Sequence, residues 1–133
     1  MRLNDELKAQ LQDLADRESE SVSAVAQRLL EEGVRMAGHP GVVFRSGPAG
    51  RRAGLAGGPD VAEVIGFLKG LHAKGEAAER ETARSLRLPE RLVRVAVDYC
   101  AEFTTDIDRE IEGREREAAQ ARERWERQQQ LLA

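Results

Sequence analysis

Between Leu3 and Met36 apolar side chains recur every three or four residues with charges between them, and no other stretch restricts the fold of this chain so tightly. Leu3, Leu7, Leu11, Leu14 and Ala15 form one stripe, and Val22, Val25, Ala26, Leu29, Leu30, Gly33 and Val34 form a second. The spacing predicts two helices, each apolar on one side. The break falls at Arg17-Glu18-Ser19-Glu20, after which Ser21 stands where an N-cap hydroxyl satisfies the free N–H groups of the second helix. Gly38 closes that helix and Pro40 prevents its continuation. A helix pair this small buries too little surface to be stable alone. Its stripes therefore need a second wall, supplied either by another copy of the chain or by the chain's own C-terminal half.

Arg2-Leu3-Asn4-Asp5-Glu6-Leu7 as a strand end leading into a helix, Leu11, Leu14 and Ala15 as its core side, and Ser21-Val22-Ser23 opening a second helix resemble the ribbon-helix-helix family of bacterial DNA-binding proteins. The resemblance covers about the first quarter of the chain. It implies that two chains interlock and that their N-terminal strands pair into a ribbon entering the major groove, with Arg2 as the base reader. It also implies that Ser21, Val22 and Ser23 grip a phosphate, where free N–H groups and the positive end of a helix dipole converge. Leu3, Leu7, Leu11, Leu14, Val25, Leu29 and Val34 are the expected dimer core. Ser19 stands where the family's turn commonly has glycine, and a positive φ at a residue with a side chain costs about 1 kcal/mol or more. That cost favours a turn built without one.

At 133 residues the chain is long enough for one ordinary domain or two very small ones. Charged residues make up 34% and aromatics 4%, which suits helices with solvated outer faces and argues against a large β core. The net charge of −3 excludes a generically basic nucleic-acid binder, so any DNA contact must come from local patches. Residues 1–37 carry 5 basic and 8 acidic side chains, residues 38–103 carry 10 and 8, and residues 104–133 carry 6 and 8. Only the middle is positive. Cys100, the single cysteine, cannot form an internal disulfide, and neither a signal peptide nor a membrane span is apparent, so a cytoplasmic location is expected.

Glycine and proline are abundant from His39 to Pro59. Val42-Val43-Phe44 and Arg51 to Leu55 flank Gly47-Pro48-Ala49-Gly50, which reads as a hairpin with a four-residue turn. Gly54, Gly57 and Gly58 are turn glycines rather than a phosphate loop, since no Gly-Lys-Ser/Thr follows them. Asp60 and Glu63 form a capping-box pair before Val61, Val64, Ile65, Leu68 and Leu71, predicting a helix that ends near Lys74-Gly75. Gly66 and Gly70, one turn apart on it, each weaken the helix by about 1 kcal/mol relative to alanine. They point to close approach of a neighbour. A further helix runs from Glu76 to about Leu86. Pro89 fits the first turn of the next, whose Leu92, Val93, Ala96, Tyr99, Cys100 and Phe103 form a strong apolar stripe.

The order of these elements resembles a small bacterial domain known as DUF433, on the Arg51 to Val61 segment, the Glu76 to Leu86 helix and the Leu88-Pro89-Glu90 start of the next, over about residues 39 to 105. The resemblance implies a helix-turn-helix-like core. In a working helix-turn-helix the helix from Pro89 would lie in the major groove. Arg84, Arg87, Arg91 and Arg94 would then form a second DNA face, because a guanidinium fork meets guanine or phosphate with two hydrogen bonds. Glu90 and Asp98 are interleaved with them, and an ordinary solvated helix face remains the other reading.

Thr105 and Asp108 give a last capping signal, followed by a helix to the end of the sequence. Its pairs Glu110 with Arg114, Glu112 with Arg116 and Glu123 with Arg127 each contribute a few tenths of a kcal/mol. Ile111, Ala118, Trp125 and Leu132 recur every seven residues as a thin apolar seam. A helix with so little apolar area frays at a terminus unless a partner covers Trp125, Leu131 and Leu132. A ribbon-helix-helix unit followed by a DUF433-like domain is similar to the antitoxin side of systems whose toxin is a PIN-like ribonuclease. That similarity implies that an arginine, with Arg109, Arg114, Arg116, Arg122 and Arg124 as candidates, neutralises the toxin's metal-binding carboxylates. An exposed helix packing on its own dimer is the competing reading.

No catalytic constellation stands out. His39 and His72 are isolated, Cys100 lies on an apolar stripe, and no metal-ligand spacing is present, so neither catalytic residues, metal, cofactor nor small-molecule substrate is expected. The expected architecture is mainly α. A ribbon-helix-helix-like dimerisation unit occupies residues 1–37, a hairpin with a helix-turn-helix-like helical domain residues 38–104, and a charged helix residues 105–133. The expected function is an antitoxin-type, operator-binding homodimer with no membrane partner. A stand-alone repressor and a protein-interaction scaffold without DNA remain open.

Overall fold

The computed structural model describes residues 2–133. It is mainly helical, with one small antiparallel sheet. Helices α1 (Asp5–Glu18) and α2 (Val22–Gly38) are followed by strands β1 (Val42–Gly47) and β2 (Gly50–Leu55), then α3 (Val61–Lys69), α4 (Gly75–Leu86), α5 (Glu90–Glu102) and α6 (Thr104–Leu132). The chain divides into two compact units, one ending at Gly38 and the other running from His39 to Ala133.

In the first unit α1 packs on α2 through a small cluster. Leu11, Ala15 and Val25 are buried, with Leu3, Leu14, Val22 and Ala26 packed around them. Asn4 caps α1, its Oδ1 accepting from the Leu7 N–H at 2.8 Å. Ser21 caps α2 as expected, its Oγ accepting from the Ala24 N–H at 3.1 Å. The turn overrules one expectation. Ser19 does adopt the left-handed conformation, with φ 55°. The Glu20 N–H then reaches back to the Ala15 carbonyl at 3.0 Å and that of Ser19 to Asp16 at 3.3 Å, satisfying two terminal carbonyls that a straighter exit would leave open.

In the second unit fourteen side chains form one buried core, among them Leu55, Val61, Val64, Val93, Tyr99 and Ile107. The hairpin pairs Val42 with Leu55 through to Gly47 with Gly50, so only Pro48 and Ala49 form its tip, two residues fewer than the spacing suggested. Val42, Phe44, Ala53 and Leu55 join the core from the hairpin. The helix after it stops at Lys69, several residues before Lys74, with Gly70 as its C-cap. Close approach does not require Gly66, since a Cβ there would lie 4.0 Å from Ile111 of α6, an ordinary van der Waals contact. Nor does Gly70 admit a neighbour; only carbonyls of its own helix lie near it, and it serves as the stop.

The turn from α4 to α5 repeats the chemistry of Ser19. Arg87 has φ 56°, and the Leu88 N–H bonds the Ala83 carbonyl at 2.8 Å. Pro89 is the N-cap of α5 rather than its first helical residue. Helix α6 starts at Thr104, whose hydroxyl donates to the Cys100 carbonyl at 2.6 Å, so the capping signal at Thr105 and Asp108 is not used. Asp108 pairs instead with Lys69 at 2.8 Å and holds that ammonium's pKa above its ordinary value. Ile107 is fully buried and Ile111 packs on the core, whereas every residue from Arg114 onward is exposed. His39 is tied to the same core, its Nε2 lying 2.6 Å from a Glu102 carboxylate oxygen and its ring edge-on to Tyr99 and Phe103.

Candidate nucleic-acid and partner interfaces

Three surfaces carry the residues that the sequence singles out. The first is the start of α2. Backbone N–H groups in a helix's first turn have no acceptor within the helix. Ser21 occupies that of Ala24, and the N–H groups of Val22 and Ser23 are those placed to meet an anion. Val22 offers only its backbone, because its side chain packs into the Leu11, Ala15 and Val25 cluster. Ser21, Ser23 and Arg2 are exposed, and Arg2 lies in neither helix nor strand. The residues expected to form a dimer core divide into two sets. Leu3, Leu11, Leu14 and Val25 pack within the unit. Leu7 and Leu29 are exposed, as is Val34 at 72%, and Leu30 and Met36 add to the uncovered apolar area.

The second surface is the α4–α5 turn. Arg84, Arg87, Arg91 and Arg94 are all exposed, while Leu92, Val93, Ala96, Tyr99 and Cys100 turn inward. Their field is mixed. Arg94 is bonded to Glu79 at 2.9 Å, and the shallow depression around Arg91 and Arg94 also contains Glu76, Glu79 and Glu90. Burial pushes the Cys100 thiol pKa up, opposed by the nearby Lys69 charge.

The third surface, on the far side of the hairpin, was not anticipated as a unit. Arg45 and Arg52 sit directly opposite each other across the strands, an arrangement that like charges disfavour. Asp60, the N-cap of α3, resolves it. Its Oδ1 accepts from Arg45 at 3.1 Å and its Oδ2 from Arg52 at 2.5 Å, and Arg114 of α6 adds a third guanidinium at 3.3 Å. The capping box read at Asp60 and Glu63 is therefore incomplete, because the Asp60 carboxylate makes no cap hydrogen bond. Arg45 also donates to the carbonyls of Leu55 and Gly58, at 2.5 and 2.9 Å. It can lie there only because Gly54 has no side chain; a Cβ would come within 2.4 Å of its guanidinium.

Helix α6 completes this site. The edge N–H of Ala53 donates to Glu110 Oε1 at 3.2 Å, while Glu110 Oε2 is buried with no hydrogen-bond donor among the described residues. Burial raises the Glu110 pKa above its ordinary value, the Ala53 N–H opposes this, and the nearby Asp60 and Asp106 charges reinforce it. Between the hairpin tip and α6 lies a cavity of about 460 Å³. Arg51, Arg52, Arg109, Arg114 and Arg116 line it, together with Asp60, Glu110 and Glu117. Of the candidate partner-binding residues, Arg109, Arg114 and Arg116 thus share one cavity. Trp125, Leu131 and Leu132 lie further along α6, the last two at 86% and 80% exposure.

Among the described residues no group of three or more His, Cys, Asp or Glu could hold a metal ion, and no helix is long and apolar enough to cross a membrane. Comparison with family profiles, with curated proteins and with solved structures gives no match to this chain.

Proposed function

We propose that this chain is a DNA-binding transcriptional regulator acting as the antitoxin of a toxin–antitoxin pair, without enzymatic activity of its own. The observation that carries the reading is the open apolar side of the first unit. Three buried apolar residues among those described cannot stabilise two helices, while Leu7, Leu29, Leu30, Val34 and Met36 stay uncovered. A second copy supplies the missing wall, and in a ribbon-helix-helix dimer it also brings two Arg2 side chains and two α2 N-termini to one DNA face. Arg2 then reads bases while Ser21, Val22 and Ser23 hold phosphates. Arg84, Arg87, Arg91 and Arg94 form a second DNA contact through a helix-turn-helix arrangement of α4 and α5, once the Arg94–Glu79 pair opens.

The exposed length of α6 supports the other half of the reading. Trp125, Leu131 and Leu132 are the anchors for a PIN-like ribonuclease toxin, and Arg109, Arg114 or Arg116 meets its metal-binding carboxylates. The protein-interaction scaffold is the second reading, favoured by the 8 acidic against 5 basic side chains of residues 1–37.

A gel shift on the protein's own promoter over a range of salt concentrations tests the first half, because phosphate neutralisation makes affinity fall steeply with salt. Specific retention that weakens with salt supports it, and equal retention of random DNA favours the scaffold. Co-purification with the product of the neighbouring gene tests the second half. Deleting residues 118–133 is expected to abolish toxin capture and spare promoter binding.

A further inference from the structure

We propose that two copies of the chain pair through α2, their helices crossing at Gly33, and that this residue decides which chains can pair. Gly33 lies in the interior of α2, more than a turn before the helix ends at Gly38. A glycine there weakens the helix relative to alanine. Nothing within the chain accounts for it. Its backbone is not left-handed, and a Cβ built on it finds no atom within 4 Å among the described residues, whereas at Gly47 and Gly54 a Cβ would strike an arginine.

The residues around it identify what approaches. Leu29, Leu30, Val34 and Met36 lie within about one turn of Gly33, and all four are exposed. Val25 meets Leu11 and Ala15 of α1 on the adjoining side, so the glycine stands in the uncovered part of the apolar stripe. The occupant is the same helix of a second copy. Among the described residues of the first unit, α2 supplies four of the five exposed large apolar side chains and α1 only Leu7, and a twofold axis sets such a patch against itself. An axis through Gly33 then places glycine on glycine. Interaxial distance follows the side chains at the contact, so these backbones pack at the short end of the ordinary range of about 8–10 Å, with the neighbouring leucines and valines interlocked. A chain carrying a larger residue at this position is held off, which makes Gly33 a determinant of self-recognition. The crossing rests on the paired reading of the first unit, and adds to it the element, the contact point and the rule of exclusion.

The test is sedimentation equilibrium of the full-length protein and of its Gly33→Ala and Gly33→Leu variants. Both substitutions favour the helix and meet open space within the chain, so the first unit has no internal reason to lose its fold. Crowding at the crossing should raise the dimer dissociation constant about tenfold for alanine, the scale of overpacking, and further for leucine. Helix propensity alone acts in the opposite direction. An alanine variant that pairs as tightly as wild type, or more tightly, places Gly33 outside the interface and overturns the crossing while the pairing stands. A wild-type chain that stays a monomer removes both. A second measurement is an isotope-filtered NOE experiment on dimers assembled from labelled and unlabelled chains, in which the Gly33 α-protons should contact α2 of the other copy. Contacts to its α1 alone overturn the crossing. When wild type and the Gly33→Leu variant are mixed, the variant should be left out of mixed dimers, and free mixing would overturn the role in self-recognition.

Discussion

Glu110 shows how one side chain can be set against the stability of the unit it helps to build. Its Oε1 seals the edge N–H of Ala53, but its Oε2 is buried without a donor, and burial pushes its pKa above the ordinary 4.5. A carboxyl whose folded pKa is raised binds its proton more tightly in the folded chain than in the unfolded one. Stability from this group is therefore greatest below its ordinary pKa and falls as pH rises through the raised value. Glu110→Gln keeps the acceptor for Ala53 and removes the charge. The variant is expected to melt at a higher temperature than wild type at neutral pH, and the gap should close as pH drops below the ordinary glutamate range. Calorimetric scans at several pH values check this. A variant less stable than wild type at neutral pH would mean that attraction to Arg52 outweighs the burial penalty.

At the scale of the element, what the sequence revealed follows the distance over which each feature is encoded. The cap at Ser21 was legible because donor and acceptor lie three residues apart. The hairpin and the α5 stripe were legible because their alternation and periodicity are local. The Asp60 clasp was not, since Arg114 comes from 54 positions away, and the pairing of Asp60 with Glu63 pointed to a cap instead. One signal was present. Gly47 and Gly54 alternate with Arg45 and Arg52 on one face of the hairpin, and a Cβ at either glycine would strike the arginine beside it. Helix α6 was legible as a helix but not in its division of labour. Its first two turns belong to the core through Ile107 and Ile111, and its remainder does not. Two truncations should therefore behave differently. Removing residues 118–133 is expected to shift the melting temperature of the second unit by no more than about 4 °C, since surface changes stay within about 0.5 kcal/mol. Removing residues 106–133 takes away fully buried Ile107 and the Glu110 seal, and should cost several kcal/mol on the scale of emptied core positions. Equal melting of both truncations would place the core boundary elsewhere.

For the whole molecule the decisive contrast is between the two units. A core of fourteen buried apolar side chains holds the second, against a cluster of three among the described residues of the first, whose 38 residues fall below the size at which a chain of this kind usually folds unaided. Thermal unfolding is therefore expected in two steps. The step belonging to the second unit should be independent of protein concentration. The step belonging to the first should rise in temperature as concentration rises, because association stabilises only what is assembled. Leu30 and Val34 are the most exposed large apolar residues of α2, at 56% and 72%. Covering the exposed part of each contributes about 1 kcal/mol, and a twofold interface counts every side chain twice. A Leu30→Asp, Val34→Asp variant loses that burial and adds four charges to the same seam. Light scattering across the micromolar range should give a dimer mass for wild type and a monomer mass for the variant, with the concentration-dependent step lost and the other step unmoved. A wild-type chain that stays a monomer throughout that range, with its first unit still folded, would show that the open leucines and valines need no twin, and would remove the basis for a paired grip on DNA.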